Sequence, residues 1–212
     1  MMATRGRFIT LEGIEGAGKS SVARALLQHL QATGQPVIAS REPGGTPMAE
    51  RIRDLVLTRS EEPLPAGGEL LLMFAARAVH VSNLLEPALA RGDWVLCDRF
   101  TDATLAYQGG GRGVPLDDIL SLTQFAHPGL SPDLTLLLDV PPAIGLQRAR
   151  GRGENGDRFE DETVAFFDRV RAVYLQLARA QPQRWCVIDA TAPLQQVLEQ
   201  AKAAVQALQG TS

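Results

Sequence analysis

An eight-residue glycine-rich segment near the start of the chain constrains the fold more than any other feature of the sequence. The segment Gly13-Ile14-Glu15-Gly16-Ala17-Gly18-Lys19-Ser20 matches the pattern GxxxxGK[ST] in full. It follows an apolar run, Phe8–Leu11, and precedes an amphipathic segment, Lys19–Gln31. Glycines let successive backbone N–H groups curl around an anion, and the N-terminus of a helix adds partial positive charge. The segment therefore predicts a strand–loop–helix unit that binds phosphate, a P-loop.

The residues of this loop and one distant aspartate suggest a triphosphate and its metal ion. In a P-loop we expect Lys19 to reach the β- and γ-phosphates and the Ser20 hydroxyl to bind Mg²⁺. Asp98 follows another predicted strand, and a carboxylate at that edge can hold a Mg²⁺-bound water. An isolated aspartate at a strand end is more often a turn residue or a helix cap, so this assignment depends on the loop. Only Lys19 and Lys202 are lysines among 21 basic residues.

Predicted strands and helices alternate along the chain. Five short apolar runs predict strands over Phe8–Leu11, Val37–Ser40, Trp94–Cys97, Leu134–Leu138 and Trp185–Ile188. Helical periodicity occupies Lys19–Gln31, Pro47–Thr58, Glu69–Ala90, Leu116–Ala126, a segment opened by Pro141-Pro142, Thr163–Ala180 and Leu194–Leu208. This alternation predicts right-handed βαβ units, and hence an α/β fold with a five-stranded parallel sheet flanked by helices. We expect one domain over residues 1–212, and the strand order stays open.

Composition restricts the expected binding partners and the expected cellular compartment. A net charge of −3 is unlike that of a general nucleic-acid binder, and no apolar run approaches the roughly 18 residues of a membrane span. Cys97 and Cys186 have neither disulfide-framework nor CxxC spacing, which favours buried thiols in a reducing cytoplasm. His29, His80 and His127 form no ligand-spaced cluster, so we interpret them as ordinary helix-face residues.

Further motifs follow the loop in a fixed order. They are Arg41-Glu42-Pro43-Gly44-Gly45-Thr46, Ala75-Ala76-Arg77, Asp98-Arg99-Phe100, Tyr107-Gln108-Gly109-Gly110-Gly111 and Asp157-Arg158-Phe159-Glu160. With Glu12-Gly13-x-Glu15-Gly16, this set resembles the bacterial thymidylate kinase family over nearly the whole chain. The resemblance implies a P-loop nucleoside monophosphate kinase that converts dTMP to dTDP with ATP and Mg²⁺, as a homodimer formed through helices. A kinase for another nucleoside monophosphate or small acceptor is the alternative. A GTP-binding switch is disfavoured, because neither lysine follows an Asn as an N-K-x-D segment requires.

The same resemblance implies which residues bind the phosphate of dTMP and which contact its deoxyribose. Arg99 would clamp the dTMP phosphate with Arg41 beside it, since guanidinium forks suit a dianion. Tyr107 would pack against the deoxyribose where a ribonucleotide carries its 2′-hydroxyl. Glu15 would orient the sugar near its 3′-hydroxyl, because a phosphate oxygen is already a nucleophile and needs no strong base. Glu42 would buttress Arg41 or Arg99.

The base pocket is expected along the long apolar helix. The resemblance implies that Arg77 hydrogen-bonds the thymine carbonyl and Thr104 the N3 edge, with Gln108 nearby. The family usually carries a stacking Phe four residues before the helix arginine. Here that position is Met73, and Phe74 stands three residues before Arg77. Residues three and four positions before Arg77 both lie on the same face of the helix as Arg77, so either Met73 or Phe74 could cover the base.

An arginine-rich segment, residues 148–160, predicts a short lid over ATP. Glycines separate its arginines, and the acidic residues close by neutralise them, which argues against nucleic-acid binding. The family places a catalytic arginine either in the P-loop or in the lid, and this P-loop has none. The lid type is therefore the better match, with Arg152 or Arg158 catalytic and Arg148 contacting the phosphates of ATP. The resemblance places adenine near Asp189–Pro193.

Overall fold

A single parallel sheet organises the computed structural model, which describes residues 5–151, 158–159 and 161–210. Within these residues, five strands form the sheet in the order β2-β3-β1-β4-β5. They are β1 (Phe8–Glu12), β2 (Val37–Arg41), β3 (Trp94–Asp98), β4 (Leu134–Asp139) and β5 (Trp185–Asp189). Each neighbouring pair is parallel. The predicted α/β class and all five predicted strands are confirmed, and each strand extends one residue further than predicted.

At least one helix follows each strand. The described helices are α1 (Lys19–Ala32), α2 (Pro47–Leu57), α3 (Ala66–His80), α4 (Glu86–Ala90), α5 (Thr101–Thr104), α6 (Leu116–Ala126), α7 (Pro142–Arg150), α8 (Val164–Ala180) and α9 (Leu194–Gln209). The predicted single helix over Glu69–Ala90 is divided by a π-helical segment, Val81–Leu85, between α3 and α4. Pro87 explains the change of register, because proline has no N–H to donate one turn back.

Sequence periodicity missed one helical segment that carries site residues. Helix α5 continues directly into a π-helical segment, Leu105–Gly111, for which the sequence predicted no element. The glycines serve close packing against α8. A Cβ on Gly111 would lie 2.4 Å from the Phe166 ring, and one on Gly110 would lie 2.6 Å from Val173. Tyr107 and Gln108 are consequently carried by a helical segment.

Apolar side chains cover both faces of the sheet. Phe8, Val95 and Cys97 project to one face, where they pack with residues of the π-helical segment and α4. Ile9 and Leu96 project to the other face and join the larger core with residues of α1, α8 and α9. Because both faces are buried at the three central strands, β1, β3 and β4 expose only their ends. Polar chemistry is thereby concentrated at the carboxyl edge.

The prediction that the histidines are ordinary helix-face residues is wrong for two of them. His80 is fully buried, and its ring nitrogens lie 2.9 Å from Glu42 Oε1 and 2.6 Å from Ser40 Oγ. His127 is buried at the end of α6, 2.9 Å from Thr101 Oγ1, and burial lowers its pKa to about 4. Their polar partners come from distant parts of the chain, which helical spacing does not reveal.

Among the described helices, the continuous stretch Ala66–Ala90 is long and apolar enough to cross a membrane by length and composition. Half of its most apolar stretch is buried against the rest of the chain. Glu69, Arg77 and His80 are fully or almost fully buried on this helix, where they hydrogen-bond to other elements. These contacts identify it as a core helix of the α/β fold.

Candidate active site

The predicted phosphate-binding loop joins β1 to α1 and has the backbone that its glycines allow. Gly13, Gly16 and Gly18 have φ of 136°, 72° and 94°, a region that other residues rarely adopt. At Gly16 a Cβ would also lie 1.9 Å from the carbonyl oxygen of Gly145 in α7. Both the conformation and the close approach therefore require glycine at this position, as the motif indicates.

Lys19 is held at the centre of the loop. Its ammonium group donates to the carbonyl oxygens of Gly13 at 2.8 Å and Ile14 at 3.1 Å, and the residue is only 9% exposed. Burial, together with the nearby charge of Arg99, lowers the pKa of Lys19 to about 8. The group is thus a compact cation that the fold has partly desolvated before any phosphate arrives.

A cavity of about 200 Å³ opens beside the loop, at the carboxyl ends of β2 and β3. It gathers most of the predicted site residues on its wall: Glu15, Gly16, Ala17, Gly18, Lys19, Ser20, Glu42, Met73, Asp98, Arg99, Tyr107 and Gln108. The wall does not include Gly13, Ile14, Arg41, Phe74, Arg77, Thr104 or Arg148. It does include Pro43, Arg53, Leu57, Ala103 and Phe159, which sequence reasoning missed.

Arg53 is the missed residue with the clearest chemistry. Its guanidinium donates to the carbonyl oxygen of Pro43 at 2.8 Å and contributes a positive charge to the cavity. A signal was available in the sequence, since Ala49 and Val56 lie four residues before and three residues after it. Both are fully buried, so that helical spacing places Arg53 on the inward face of α2.

Asp98 ends β3 at the cavity, as the sequence predicted. Its Oδ1 atom is buried and has no hydrogen-bond partner in the described part of the chain. A buried carboxylate oxygen without a partner is costly, and such atoms concentrate where a cation or a ligand completes the site. The observation fits the oxygen-donor chemistry that Mg²⁺ prefers.

Glu15, Arg99 and Tyr107 form one connected group on the cavity wall. Arg99 Nη2 donates to Glu15 Oε1 at 2.7 Å, and the Tyr107 hydroxyl donates to Glu15 Oε2 at 2.7 Å. The Arg99 guanidinium also lies 4.6 Å from the centre of the Tyr107 ring. Burial raises the pKa of Tyr107 well above its usual value, so that its hydroxyl remains a donor. The carboxylate thus fixes the arginine and the tyrosine relative to each other.

Glu42 has different partners from those predicted. Its Oε2 accepts from Arg77 Nε at 2.6 Å, and its Oε1 lies 2.9 Å from His80 Nδ1. Burial acts to raise the pKa of Glu42, but Arg77 and His80 outweigh that effect and hold it below the usual value. Arg41 instead forms an exposed pair with Glu50 at 3.0 Å. Successive residues at the end of a strand project in opposite directions, which separates Arg41 from Glu42.

Arg77 is almost completely buried behind the cavity. Its Nη2 donates to Phe100 O at 3.1 Å and to Thr104 Oγ1 at 2.9 Å. Its Nη1 has no hydrogen-bond partner among the described residues. The predicted pair Arg77 and Thr104 is therefore brought together, although the threonine hydroxyl oxygen is already engaged by the arginine.

The two candidates for covering the base are separated by packing. Met73 lies on the cavity wall, whereas Phe74 packs with Leu70 and Ile119 in a small apolar cluster. The Arg77 guanidinium lies 4.9 Å from the Phe74 ring centre. Phe74 thus supports the arginine from behind, while Met73 is the neighbour that faces the cavity.

Gln108 brings a buried amide to the same wall. Its Nε2 donates to Glu69 Oε1 at 2.6 Å, and its Oε1 is a second buried atom that lacks a partner in the described ranges. Glu69 was not predicted as a site residue. It stands four residues before Met73 on α3, a spacing that places both on one face of the helix.

The arginines predicted to act on ATP lie in different surroundings. Arg148 donates to Ala190 O at 2.8 Å and lines a second cavity, of about 150 Å³, together with Gly18, Ala190 and Ala192. This cavity adjoins the segment Asp189–Pro193, where the resemblance places adenine. Arg158 Nη2 donates to Glu69 Oε2 at 2.6 Å, and its Nε donates to the Val56 carbonyl. Arg152 lies outside the described residues.

These features define a P-loop kinase: a buried loop lysine, a carboxylate at the adjoining strand end, and a cavity beside them that Arg53 and Arg99 line. The family model described as thymidylate kinase matches residues 11–201. The thymidylate kinase of Pseudomonas savastanoi pv. phaseolicola is 57% identical over 192 residues, which cover 91% of each chain. That of Alkalilimnicola ehrlichii is 54% identical over 195 residues, covering 92% of this chain and 90% of the relative.

A solved structure agrees with the sequence relatives. The crystal structure of thymidylate kinase from Ehrlichia chaffeensis matches with a TM-score of 0.77 at 30% identity, covering 97% of this chain and 99% of the other. The chain therefore belongs to the thymidylate kinase family, whose activity is the phosphorylation of dTMP with ATP. The predicted family, fold and enzyme class are confirmed.

Replacing Lys19 by arginine should abolish most of the activity although the charge is kept. The ammonium fits between the Gly13 and Ile14 carbonyl oxygens, and a planar guanidinium is too wide for that position. We expect K19R to lower kcat by about 100-fold or more in a coupled ADP-release assay. Lys202→Arg, the matched change at the only other lysine, should leave kcat within about twofold. Near-normal turnover by K19R would contradict the placement of this group.

Proposed function

We propose that this kinase binds dTMP in the cavity beside the loop, with the base directed at Arg77 and Gln108. Two buried atoms carry the proposal, because Arg77 Nη1 is a donor and Gln108 Oε1 an acceptor and neither has a partner in the described structure. Thymine presents the complementary pair, a C4 carbonyl that accepts and an N3–H that donates. Cytosine presents the opposite pair, an amino donor and an N3 acceptor. A buried site built for one pattern rejects the other strongly.

The phosphate of dTMP would lie at the other end of the cavity, near Arg99 and Arg53. Guanidinium groups bind a dianionic phosphate with paired hydrogen bonds. Glu15 would take the sugar hydroxyl and Tyr107 would pack beside the ring, as the resemblance implies. Because the attacking oxygen belongs to a phosphate, the transfer is a direct in-line displacement that needs positioning and charge stabilisation but no proton abstraction. Met73 would cover the base.

The donor side would hold ATP between the P-loop and α7. The backbone of Gly13, Gly16 and Gly18 would cradle the phosphates, and Lys19 would move from its carbonyl partners to the β- and γ-phosphate oxygens. Arg148 borders the second cavity, in which backbone groups near Ala190 would face adenine. Arg152 or Arg158 would supply the catalytic arginine of the lid. The P-loop sequence contains no arginine, which favours this lid type.

We propose Ser20 and Asp98 as the residues that hold Mg²⁺. Ser20 is the exposed hydroxyl at the start of α1, and Asp98 offers its unpartnered buried oxygen. Both residues line the same cavity. When bound, the ion would neutralise charge on the phosphate oxygens.

The acceptor specificity can be tested directly with a panel of nucleotides. A coupled ADP-release assay should give the highest kcat/KM with dTMP, lower values with dUMP, and values below about one thousandth of the dTMP value with dCMP and dGMP. Thymidine should be inactive, because it lacks the phosphate nucleophile. If dCMP turned over as fast as dTMP, the base-reading proposal would fail. If dGMP did, a kinase for a different acceptor would be indicated.

The metal assignment predicts a specific response to one substitution. Asp98→Asn keeps the shape of the side chain but removes the charge that favours a divalent cation. We expect kcat to fall by about 100-fold and half-saturation to require several times more Mg²⁺. Unchanged Mg²⁺ dependence in a titration of D98N would show that Asp98 does not hold the ion.

We propose that the chain is a cytoplasmic homodimer. Helices α3 and α6 pack against each other through Leu70, Phe74 and Ile119, and their outer sides expose large apolar residues. These are Leu71 at 60%, Leu116 at 57%, Leu120 at 48% and Phe125 at 87% exposure. Exposed apolar residues grouped in this way favour burial against another protein, and the resemblance implies a second copy. The free thiols of Cys97 and Cys186 suit a reducing compartment.

Light scattering at micromolar concentration tests the homodimer. We expect a mass near twice the chain mass of 22.8 kDa. Leu120→Glu should shift the mass toward the monomer, because it places a charge within the apolar surface. If the wild-type protein has the mass of a single chain under these conditions, the homodimer proposal is wrong.

A further inference from the structure

Glu69 is a fully buried carboxylate with three charged or polar partners. Its Oε1 accepts from Gln108 Nε2 at 2.6 Å, and its Oε2 accepts from Arg158 Nη2 at 2.6 Å and from Arg112 Nε at 3.3 Å. Arg112 and Arg158 come from different parts of the chain, after the glycine motif and before α8. Both of the Glu69 oxygens are thus engaged, one of them by the amide that lines the acceptor cavity.

The contact with Glu69 determines which way round the Gln108 amide lies. The two ends of a glutamine amide have nearly the same shape, so that only hydrogen bonding decides their positions. A carboxylate that faces two guanidinium groups is an acceptor only. Turning the amide over would place Gln108 Oε1 against a carboxylate oxygen, where the two acceptors would repel. Nε2 therefore stays on Glu69, and Oε1 is left for another donor.

We propose that Glu69 is a specificity-determining positioning residue, which makes the kinase select bases with an N3–H by locking the Gln108 amide. The inference rests on the proposed role of Gln108 at the base edge, and it explains why Gln108 presents its oxygen to the base. Gln108 alone could offer a base either its oxygen or its NH₂ group, and would then accept thymine, uracil or cytosine at N3. With Glu69 behind it, only the oxygen faces the base, so that cytosine meets acceptor against acceptor.

Glu69→Gln is the substitution that tests this lock. It keeps the size of the side chain but supplies an amide NH₂ that can donate to Gln108 Oε1, so that both amides can turn over together. In steady-state assays of the purified full-length enzyme, we expect the ratio of kcat/KM for dTMP to that for dCMP to fall at least about tenfold. The ratio for dTMP to dUMP should stay within about twofold of wild type, because both bases have the same imide edge.

A matched control separates this effect from loss of charge. Glu162 is the other carboxylate paired with Arg112, and the structure gives it no contact with Gln108 among the described residues. Glu162→Gln therefore removes the same charge beside the same arginine and should leave the dTMP-to-dCMP ratio unchanged. If E69Q lowered kcat/KM for dTMP, dUMP and dCMP in parallel, Glu69 would be merely structural and the proposal would be overturned.

Gln108→Leu distinguishes failure of this inference from failure of the proposed base site. If Q108L keeps the dTMP-to-dCMP ratio of wild type, Gln108 does not read the base, and both proposals fall. If Q108L loses the ratio while E69Q retains it, the base site stands and only the lock is overturned.

A measurement on wild type covers the case in which E69Q does not fold. Without dTMP, the Gln108 side-chain NH₂ signal in ¹H–¹⁵N spectra, assigned by its loss in Q108L, should be protected from solvent exchange by Glu69. Exchange at the rate of a free glutamine side chain would overturn the proposal.

Discussion

The buried ion pair between Arg77 and Glu42 is the interaction on which the acceptor side of this kinase depends. A guanidinium that is only 1% exposed needs a carboxylate, and removing one partner of such a pair costs about 3–5 kcal/mol. The pair joins the end of β2 to α3, and the remaining donors of Arg77 extend it to Phe100 and Thr104. Three separate segments of the chain are therefore held in one geometry, and Arg77 Nη1 is left without a partner among the described residues.

Carboxylates also hold two other arginines of the site, Arg99 and Arg158, to different degrees. Glu15 holds Arg99 where both side chains remain partly exposed, at 12% and 17%, so that the guanidinium stays accessible from the cavity. Glu69 holds Arg158 and fixes Gln108 from behind. Lys19 is held differently, because its partners are backbone carbonyls rather than a carboxylate. A lysine is retained in this arginine-rich chain where the space allows only a compact cation.

Local patterns predicted the parts of the structure that consecutive residues determine. The P-loop, Lys19, Asp98 and the five strands follow from glycine spacing and apolar runs. The partner of Glu42 could not be predicted from such patterns. Arg77 lies 35 residues away, and the packing of α3 against the sheet brings it to Glu42. Spacing also could not decide between Met73 and Phe74, which are neighbours on one helix. The helical segment after Thr101 was missed because its glycines, needed for contact with α8, are also typical of loops.

The central claim is that a buried donor and a buried acceptor were built to read one base edge. A crystal structure of the dTMP complex measures this most directly. The account predicts Arg77 Nη1 within about 3.2 Å of the thymine O4 and Gln108 Oε1 within about 3.2 Å of N3, with Gln108 Nε2 still on Glu69. A thymine whose O4 and N3 face other groups, with the Arg77 and Gln108 atoms still unpartnered, would contradict it.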